Sequence, residues 1–450
     1  MTTELGLHHF YVDKRAGDHS SLSVIARSAA LSEDDALALW RAADPGLSPQ
    51  SRLDGLTDGF TGVTSEDGRR VLAHFRPRDE DPAVLRAHIV LLPDEIDPFL
   101  LIPMLAYEPF PDFEAPTDDL PDLFARHQTL SDAYDAFLTS MLRSTITDED
   151  VLAGLIDCFI DGRHIAIRDA PPDPAMRLGL AQALSLGMPR SMRHLLSFTT
   201  DCFDGRACSA WLKFLHKPNL AIASDDVVFS WRSRQFEEPF TAQHWYSGWA
   251  AQQAAAEFED GAAIRTIDSD PRWQTISAST DDTALALDIY AADHAWRSGV
   301  EEPQLVRFLL DHSPLISDQE RSTIAGSVFG EALAAGKFSE VTELLLNGDE
   351  AAREGLFDHL KRHEARANDL VQYWLFDQTR SETVRLALEL REAGLMIPLE
   401  MQARLLEVCS DREARLRLFD DLTQQAITIA PEERATLLYN IVMAYRAQKI

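Results

Sequence analysis

Hydrophobic and polar residues alternate in short runs over the first hundred positions, and this pattern predicts β-strands separated by turns. Runs rich in aromatic and β-branched residues fit strands at 8–12, 59–63, 70–75 and 88–92. Ser32 and Asp35 form a capping pair ahead of an apolar-periodic stretch, which predicts a helix over 33–43. We therefore expect a mixed α/β N-terminal domain over residues 1–106.

A stretch rich in proline and carboxylates follows this domain. Residues 107–124 contain the run YEPFPDFEAPTDDLPD, and proline is excluded from helix interiors and inner strands, so we interpret the stretch as a boundary loop. Beyond it, strand patterns at 163–167, 195–200, 211–215 and 227–231 surround a helix pattern at 174–186. These patterns predict a middle α/β domain over 125–235, followed by a connecting segment over 236–280.

From residue 281 to residue 450 the strand patterns disappear and helix signals take over. Capping boxes begin at Ser317 and Ser410, and glycines that close helices follow at Gly299, Gly336, Gly348 and Gly394. The uneven spacing leaves open whether the helices form a regular solenoid or an irregular bundle. The predicted fold class is thus multidomain, with mixed α/β N-terminal and middle regions followed by an all-α helical array.

Composition and charge indicate which kinds of partner the protein is expected to bind. The 450 residues are 45% hydrophobic and carry a formal net charge of -31, which indicates a folded chain with an acidic surface. Such a surface repels phosphate backbones and anionic lipid headgroups, so we expect neither nucleic acid nor membrane as partner. The start lacks a secretory signal pattern, and Cys158, Cys202, Cys208 and Cys409 are too few for a disulfide framework. We therefore expect a cytoplasmic protein.

No intact motif for catalysis or nucleotide binding occurs in the chain. The dipeptide Gly336-Lys337 resembles part of a phosphate-binding loop, but Gly330 is one residue too far away and an aromatic residue follows the lysine. The GxGxxG and GxSxG patterns are absent as well. We expect no cofactor, and the motif search favours a protein that is not an enzyme.

Four residues within a short window have the side chains that zinc prefers: His194, Cys202, His216 and Cys208. Structural zinc sites place ligand pairs two to five residues apart on tight turns, whereas these intervals are longer and cross predicted strands. Because a buried cysteine also behaves as a small hydrophobic residue, the four remain weak candidates and no metal ligand is assigned.

Two groups of residues are candidates for binding a partner. Lys14, Arg15 and His19 lie in a charged turn after the first predicted strand. Trp245, Tyr246 and Trp249 form an aromatic group, with the two tryptophans one helical turn apart. Aromatic residues dominate binding hot spots but also hydrophobic cores, so both interpretations of the second group stay open.

Three stretches together resemble the bacterial GTPase-associated protein family: HHFYVDKRAGDHSSLSVIARSAALS at 8–32, RVLAHFRPRDEDPAVLRAHIVLLP at 70–93 and MPRSMRHLLSFTT at 188–200. Members of that family are large multidomain proteins encoded beside GTPases in predicted biological-conflict systems. The resemblance implies an adaptor or regulatory subunit that acts beside a nucleotide-hydrolysing partner. The helical C-terminal region departs from the family pattern, and no catalytic residue is carried over.

The leading hypothesis is a non-enzymatic adaptor or scaffold that works with a GTPase or another NTPase in a bacterial defence system. One alternative is a hydrolase or nucleotide-modifying enzyme, with a site assembled around His19, His88 and Asp169. A second alternative is a protein-binding module stapled by zinc.

Overall fold

The structure is a computed structural model, and it describes most of the chain. The described residues are 3–15, 22–47, 53–56, 58–93, 98–107, 110–111, 115–127, 139–140, 146, 148–256, 264, 266–376 and 380–428, together with 434, 435, 438, 439, 441–443 and 446. The candidate His19 therefore lies outside the described residues.

The chain forms two compact units. Unit 1 comprises Met1–Gln274 and Asp282–Ala291, and unit 2 comprises Thr275–Asp281 and Ala292–Ile450. Unit 1 is mixed α/β and unit 2 is helical, which confirms the predicted fold class.

Unit 1 contains all of the described strands. In chain order its strands are β1 Thr3–Leu7, β2 His9–Arg15, β3 Ser23–Ser28, β4 Gly59–Thr64, β5 Arg70–Arg78, β6 Asp81–Leu92, β7 Thr117–Leu120, β8 Leu123–His127, β9 Ile165–Arg168, β10 Phe198–Cys202, β11 Leu212–Leu215, β12 Val227–Ser230 and β13 Gln235–Phe236. Its helices are α1 Glu33–Ala43, α2 Ile102–Tyr107, α3 Glu149–Ile160, α4 Pro174–Leu184 and α5 Trp245–Ala255, and two more, α6 Pro271–Ser279 and α7 Thr283–Arg297, continue into unit 2.

Eleven strands form one mixed sheet in the order β13-β12-β9-β11-β10-β4-β5-β6-β2-β3-β7, while β1 and β8 pair separately. The strands β12, β9, β11 and β10 run parallel, and β4, β5, β6 and β2 run antiparallel to their neighbours. One face of the antiparallel part packs on α1, with a core that includes Trp40, Phe10, Phe75 and Ile89. Period-two alternation in these strands places one residue set in that core and the other set on the opposite face.

The strands of both predicted α/β domains belong to this one sheet, which differs from the predicted boundaries. β10 pairs antiparallel with β4, with Phe198 opposite Gly62 and Thr199 opposite Thr61. The Thr61 hydroxyl donates a hydrogen bond to Thr199 Oγ1 at 2.8 Å. Gly62 has a specific role here, because a Cβ atom on it would lie 2.8 Å from the Phe198 ring. The proline-rich segment 107–124 supplies an edge strand, β7, where proline interrupts no inner ladder.

Some helices of unit 2 begin after residues whose side chains accept hydrogen bonds from the first turn, among them Ser317, Asp349 and Asp411. In chain order the helices of unit 2 are α8 Pro303–His312, α9 Asp318–Ala334, α10 Phe338–Asn347, α11 Glu350–Arg362, α12 Glu364–Phe376, α13 Ser381–Glu392, α14 Leu399–Val408 and α15 Arg412–Thr428. The predicted capping box of Ser317 and Glu320 is present at the start of α9. At α15 the structure differs from the prediction, since the Asp411 carboxylate, not Ser410, accepts the hydrogen bonds from the first-turn amides.

Close packing of glycines brings α9 and α11 together. A Cβ atom on Gly355 would lie 2.0 Å from the Ser322 carbonyl oxygen, and one on Gly330 would lie 2.4 Å from the His359 ring. Each later helix of unit 2 packs on helices near it in the chain, as in a helical array. Within the described part of the chain, no helix has the length and apolar character required to cross a bilayer.

Candidate functional site

The sheet face opposite α1 carries a row of aromatic and imidazole rings, which we call the histidine row: Phe60, His74, His88, Tyr11 and His9. The first four are cross-strand partners on β4, β5, β6 and β2. Because such partners lie side by side on one face, their rings stack, with centroid distances of 4.6 Å for Phe60 and His74 and 4.2 Å for Tyr11 and His88. His9, His74 and His88 are all buried.

Hydrogen bonds fix the proton positions in part of the histidine row. Nε2 of His9 lies 2.9 Å from the Pro121 carbonyl oxygen, which only accepts, so this nitrogen donates. In neutral His9 the other nitrogen, Nδ1, then accepts from Nε2 of His88 at 2.9 Å. Burial, with His9 and His74 close by, holds the pKa of His88 well below its ordinary value, so His88 is neutral.

His74 extends the row to a carboxylate. Its Nε2 donates to Asp58 Oδ1 at 2.8 Å, and this bond lowers the pKa of Asp58. Its Nδ1 is buried and, among the described residues, has no hydrogen-bond partner. The histidine row therefore holds buried imidazoles, and the bond from His9 to Pro121 ties the segment before β8 to the sheet.

The two described residues of the first candidate group, Lys14 and Arg15, lie at the end of β2. Lys14 is buried on the α1 side of the sheet, where its charge interacts with Asp44. Arg15 is exposed and forms an ion pair with Asp81. Successive side chains of a strand point to opposite faces, which explains why Lys14 is buried and Arg15 is exposed. Lys14 is therefore not part of an exposed surface.

A second cluster lies at the carboxyl end of the parallel strands. Asp201, at the end of β10, is 1% exposed and accepts from Arg177 and from Nδ1 of His216, the latter at 2.9 Å. Arg177 also donates to the carbonyl oxygens of Pro171 and Pro172 in the loop after β9. Ligands of open α/β sheets bind at this edge. Here, however, the cluster is satisfied from within the chain: Asp201 is paired with Arg177 and His216, and Nε2 of His216 donates to the Asp54 carbonyl oxygen at 2.9 Å.

The four zinc candidates do not form a common site. His216 is bound as described above, and His194 lies near the other end of β10, beside Gly62 and Arg70. Cys202 and Cys208 share the core of unit 1, where their mutual hydrogen bond and burial raise the pKa of Cys202. A protonated thiol is a poor metal ligand. Across the described ranges, no group of three or more His, Cys, Asp or Glu side chains is placed to hold a metal ion.

The aromatic candidates belong to the start of α5. Tyr246 is fully buried and Trp249 is 8% exposed, and Trp249 packs edge-on against Tyr290 of α7 at 5.8 Å. These two side chains are therefore part of the core of unit 1 and not a binding surface, because the helix is covered on that side. Trp245 is half-buried.

Acidic side chains from other helices cap α5. Asp157 Oδ1 accepts from the amides of Gln243 and His244 at 3.0 and 2.9 Å and from the Ser247 hydroxyl at 2.9 Å. Asp288 Oδ1 accepts from the Tyr246 amide at 2.8 Å. Negative charge at a helix N-terminus is favourable, so the cluster stabilises the packing of α3, α5 and the first part of α7.

The alternative site around His88 and Asp169 is not assembled. Asp169 follows β9 in an exposed turn with a φ of 50°, and His88 is buried on β6. Five strand-to-strand steps separate β9 from β6 in the sheet, a distance of roughly 24 Å at about 4.8 Å per step. Residues so far apart do not act on one small substrate.

Unit 2 contains an open groove of about 950 Å³ between the α13–α14 loop and one face of α15. Side chains of α12 and α14 hold the loop, since Gln402 Nε2 donates to the Ile397 carbonyl at 2.6 Å and Asn368 Nδ2 to the Met396 carbonyl at 3.1 Å. The Met396 side chain lies at this groove and is 73% exposed. An ion pair between Arg391 and Asp421, 2.7 Å long, closes one part of the wall.

No protein-family model matches the chain, and no curated protein matches it. Sequence reasoning missed both the histidine row and the Asp201 cluster, because strand pairing brings together residues that are distant in the chain. The one signal available was the position of His74 and His88, each four residues from the outer end of its strand, β5 or β6. Met396 gave a weaker signal, as an apolar residue between a helix-ending glycine and Pro398.

Proposed function

We propose that the protein is an adaptor that binds a protein partner in the groove of unit 2 beside Met396. The carrying observation is the 73% exposure of Met396 at the edge of a groove of about 950 Å³. Methionine is flexible and polarizable, and exposed methionines are typical of surfaces that bind peptides and helices. The floor of the groove contributes further apolar atoms from Leu395, Ile397 and Pro398.

The distribution of exposed apolar residues supports the same location. Among the described residues, most of the large hydrophobic side chains that are exposed lie in the last part of unit 2: Phe376, Met396, Leu416, Leu438, Tyr439, Val442 and Met443. Exposed apolar surface of this kind marks interaction sites. The net charge of -31 in turn favours association with a partner that carries a basic rim.

The resemblance to the GTPase-associated family supplies the class of partner. It implies a GTP-hydrolysing protein encoded near the gene for this chain, within a bacterial conflict system. The function proposed is therefore to couple such a GTPase to a second component, with unit 2 as the docking surface.

The test uses the full chain and the purified GTPase encoded nearest to its gene. We expect a stable complex in size-exclusion chromatography with light scattering, with a Kd of about 1 μM or tighter by calorimetry. Met396→Glu places a charge in the groove and is expected to weaken binding by about tenfold or more. Met176→Glu is the matched control, because Met176 is also an exposed methionine, 52% accessible, but lies in unit 1.

Two results would contradict the proposal. One is the absence of a complex at concentrations of about 50 μM, well above the Kd expected for a stable adaptor. The other is equal binding by the Met396 and Met176 variants, which would place the contact outside the groove. Thermal unfolding of both variants confirms that neither result reflects loss of the fold.

A further inference from the structure

A small cleft in unit 2 lies between α8 and α10 and has no role in the groove described above. Its volume is about 270 Å³, and its walls include Gln304 and Arg307 of α8 and Ser339, Glu340 and Glu343 of α10. Phe329 of α9, itself 1% exposed, forms an apolar part of the wall. The cleft is thus an aromatic and acidic recess that is too small for a drug-sized ligand and large enough for one side chain.

Glu340 is the feature of the cleft that internal packing does not explain. Its Oε2 atom is buried and, within the described part of the chain, has no hydrogen-bond partner. A buried carboxylate oxygen without a partner is destabilising, so it requires an explanation such as a ligand that pairs with it.

Helix capping does not use Glu340. It occupies the third position of α10, where a glutamate commonly bonds back to the amide of the residue preceding the helix. In this helix that amide belongs to Lys337 and donates instead to the Ala332 carbonyl oxygen at 3.0 Å. The Glu340 carboxylate is therefore available to the cleft.

The charges around the cleft favour a cation. Arg307 lies 3.4 Å from Glu343 and 3.6 Å from Asp311, so its charge is already balanced by two carboxylates. Glu343 also accepts from Asn347 Nδ2 at 3.1 Å. Glu340 adds a third carboxylate that forms no ion pair with any described residue, which leaves the recess with excess negative charge.

We propose that this cleft binds the side chain of an arginine from a partner protein. A guanidinium is planar, fits a narrow recess with an apolar wall, and donates two parallel hydrogen bonds to a carboxylate such as Glu340. Lysine offers a point charge without the fork, so the geometry favours arginine. The proposal names a site and its ligand chemistry, and it holds or fails independently of the groove beside Met396.

The test measures binding of N-acetyl-arginine amide to the full chain by ligand-observed NMR titration. Lysine and citrulline derivatives with the same blocking groups are the comparators, since citrulline keeps the shape of arginine without its charge. We expect arginine to bind more tightly than lysine by at least severalfold and citrulline to show no saturable binding. Equal binding of arginine and lysine, or saturable binding of citrulline, would overturn the assignment to a guanidinium.

Variants locate the site. Glu340→Gln is expected to weaken arginine binding by about tenfold or more, because it removes a charge-assisted pair. Glu331→Gln is the matched control, since Glu331 is an exposed glutamate of α9 outside the cleft, and it should leave binding unchanged. Glu340→Gln should not lower the unfolding midpoint, because Oε2 loses no partner. Equal loss of binding in both variants would assign the effect to general surface charge and overturn the proposal.

Discussion

The Nδ1 atom of His244 donates to Asp288 Oδ2 at 2.8 Å, and this bond fastens the start of α5 to α7. Nε2 of the same ring donates to Asp161 Oδ1 at 2.9 Å. Burial by itself would lower the pKa of His244, but the hydrogen bonds that the ring donates to Asp161 and Asp288 outweigh burial and raise the pKa to about 8. At neutral pH the ring is thus a cation held between two carboxylates.

The raised pKa of His244 predicts loss of stability at alkaline pH. A histidine with a folded pKa of about 8 contributes stability below its unfolded value of 6.5, and that contribution disappears as the pH rises through about 8. We expect a loss of about 1 kcal/mol between pH 6.5 and 9, allowing for partial solvation of the ring. Urea unfolding of the wild type and of His244→Asn at several pH values measures this loss. If the free energy of unfolding has the same pH dependence in both proteins, His244 is not its source.

The low pKa of His88 predicts the opposite dependence in the acid range. The pKa of His88 is lower in the folded chain than the value of 6.5 expected in the unfolded chain. Below pH 6.5 the unfolded chain therefore binds a proton that the folded chain does not, and the free energy of unfolding decreases as the pH falls. The unfolding midpoint should therefore fall between pH 7 and pH 5, and His88→Gln should flatten this fall. His363→Gln, at an exposed position of unit 2, is the control and should retain the wild-type profile.

Removing the Asp201 carboxylate should strongly destabilise unit 1. Asp201→Asn leaves the buried Arg177 charge without its partner, and breaking a buried pair in this way costs about 3–5 kcal/mol. Chemical unfolding followed by tryptophan fluorescence measures the change. Asp225→Asn, at an exposed aspartate, should change stability by less than about 0.5 kcal/mol. If Asp201→Asn changes the free energy of unfolding equally little, the cluster of Asp201, Arg177 and His216 does not stabilise unit 1.

The glycine contact between α9 and α11 predicts a steric effect in unit 2. Gly355→Ala forces a Cβ atom against the Ser322 backbone, so the helices must move apart, and overpacking of this kind costs about 1–3 kcal/mol. Gly248→Ala is the control, because Gly248 lies in α5 with no atom within 4 Å of its added Cβ. That substitution should be neutral or stabilising. Circular dichroism during thermal unfolding distinguishes the two, and equal midpoints would contradict the packing argument.

Local features of the fold were predictable from the sequence. The capping serines Ser32 and Ser317 mark the starts of α1 and α9 as the structure has them, because the hydrogen bonds of a cap involve neighbouring residues only. The predicted helix 33–43 matches α1 residue for residue. At α15, Asp411 replaced Ser410 as the cap, a difference of one residue between two side chains that both accept hydrogen bonds.

Non-local features were not predictable in this way. The pairing of β10 with β4 joins residues more than a hundred positions apart, and nothing in either strand alone identifies its neighbour. The histidine row depends likewise on the pairing of β6 with β2, and the Asp201 cluster on the contacts of Arg177 and His216 with the end of β10. Burial of Tyr246 and Trp249 likewise depends on α7, which supplies Tyr290 from a distant part of the chain.

The hydrogen-bonded pairing of β4 with β10 determines what happens when the chain is cut into two pieces. A cut within 107–124 would place the antiparallel strands β4, β5, β6 and β2 in one piece and the parallel strands in the other. Each piece would then have an exposed edge strand, β4 or β10, with unpaired backbone amides and carbonyls. Such pieces are expected to recombine when co-expressed, or to aggregate when made singly. If the two halves of a split reporter are fused to the two pieces, one half to each, the reporter signal will therefore measure reassembly of the sheet.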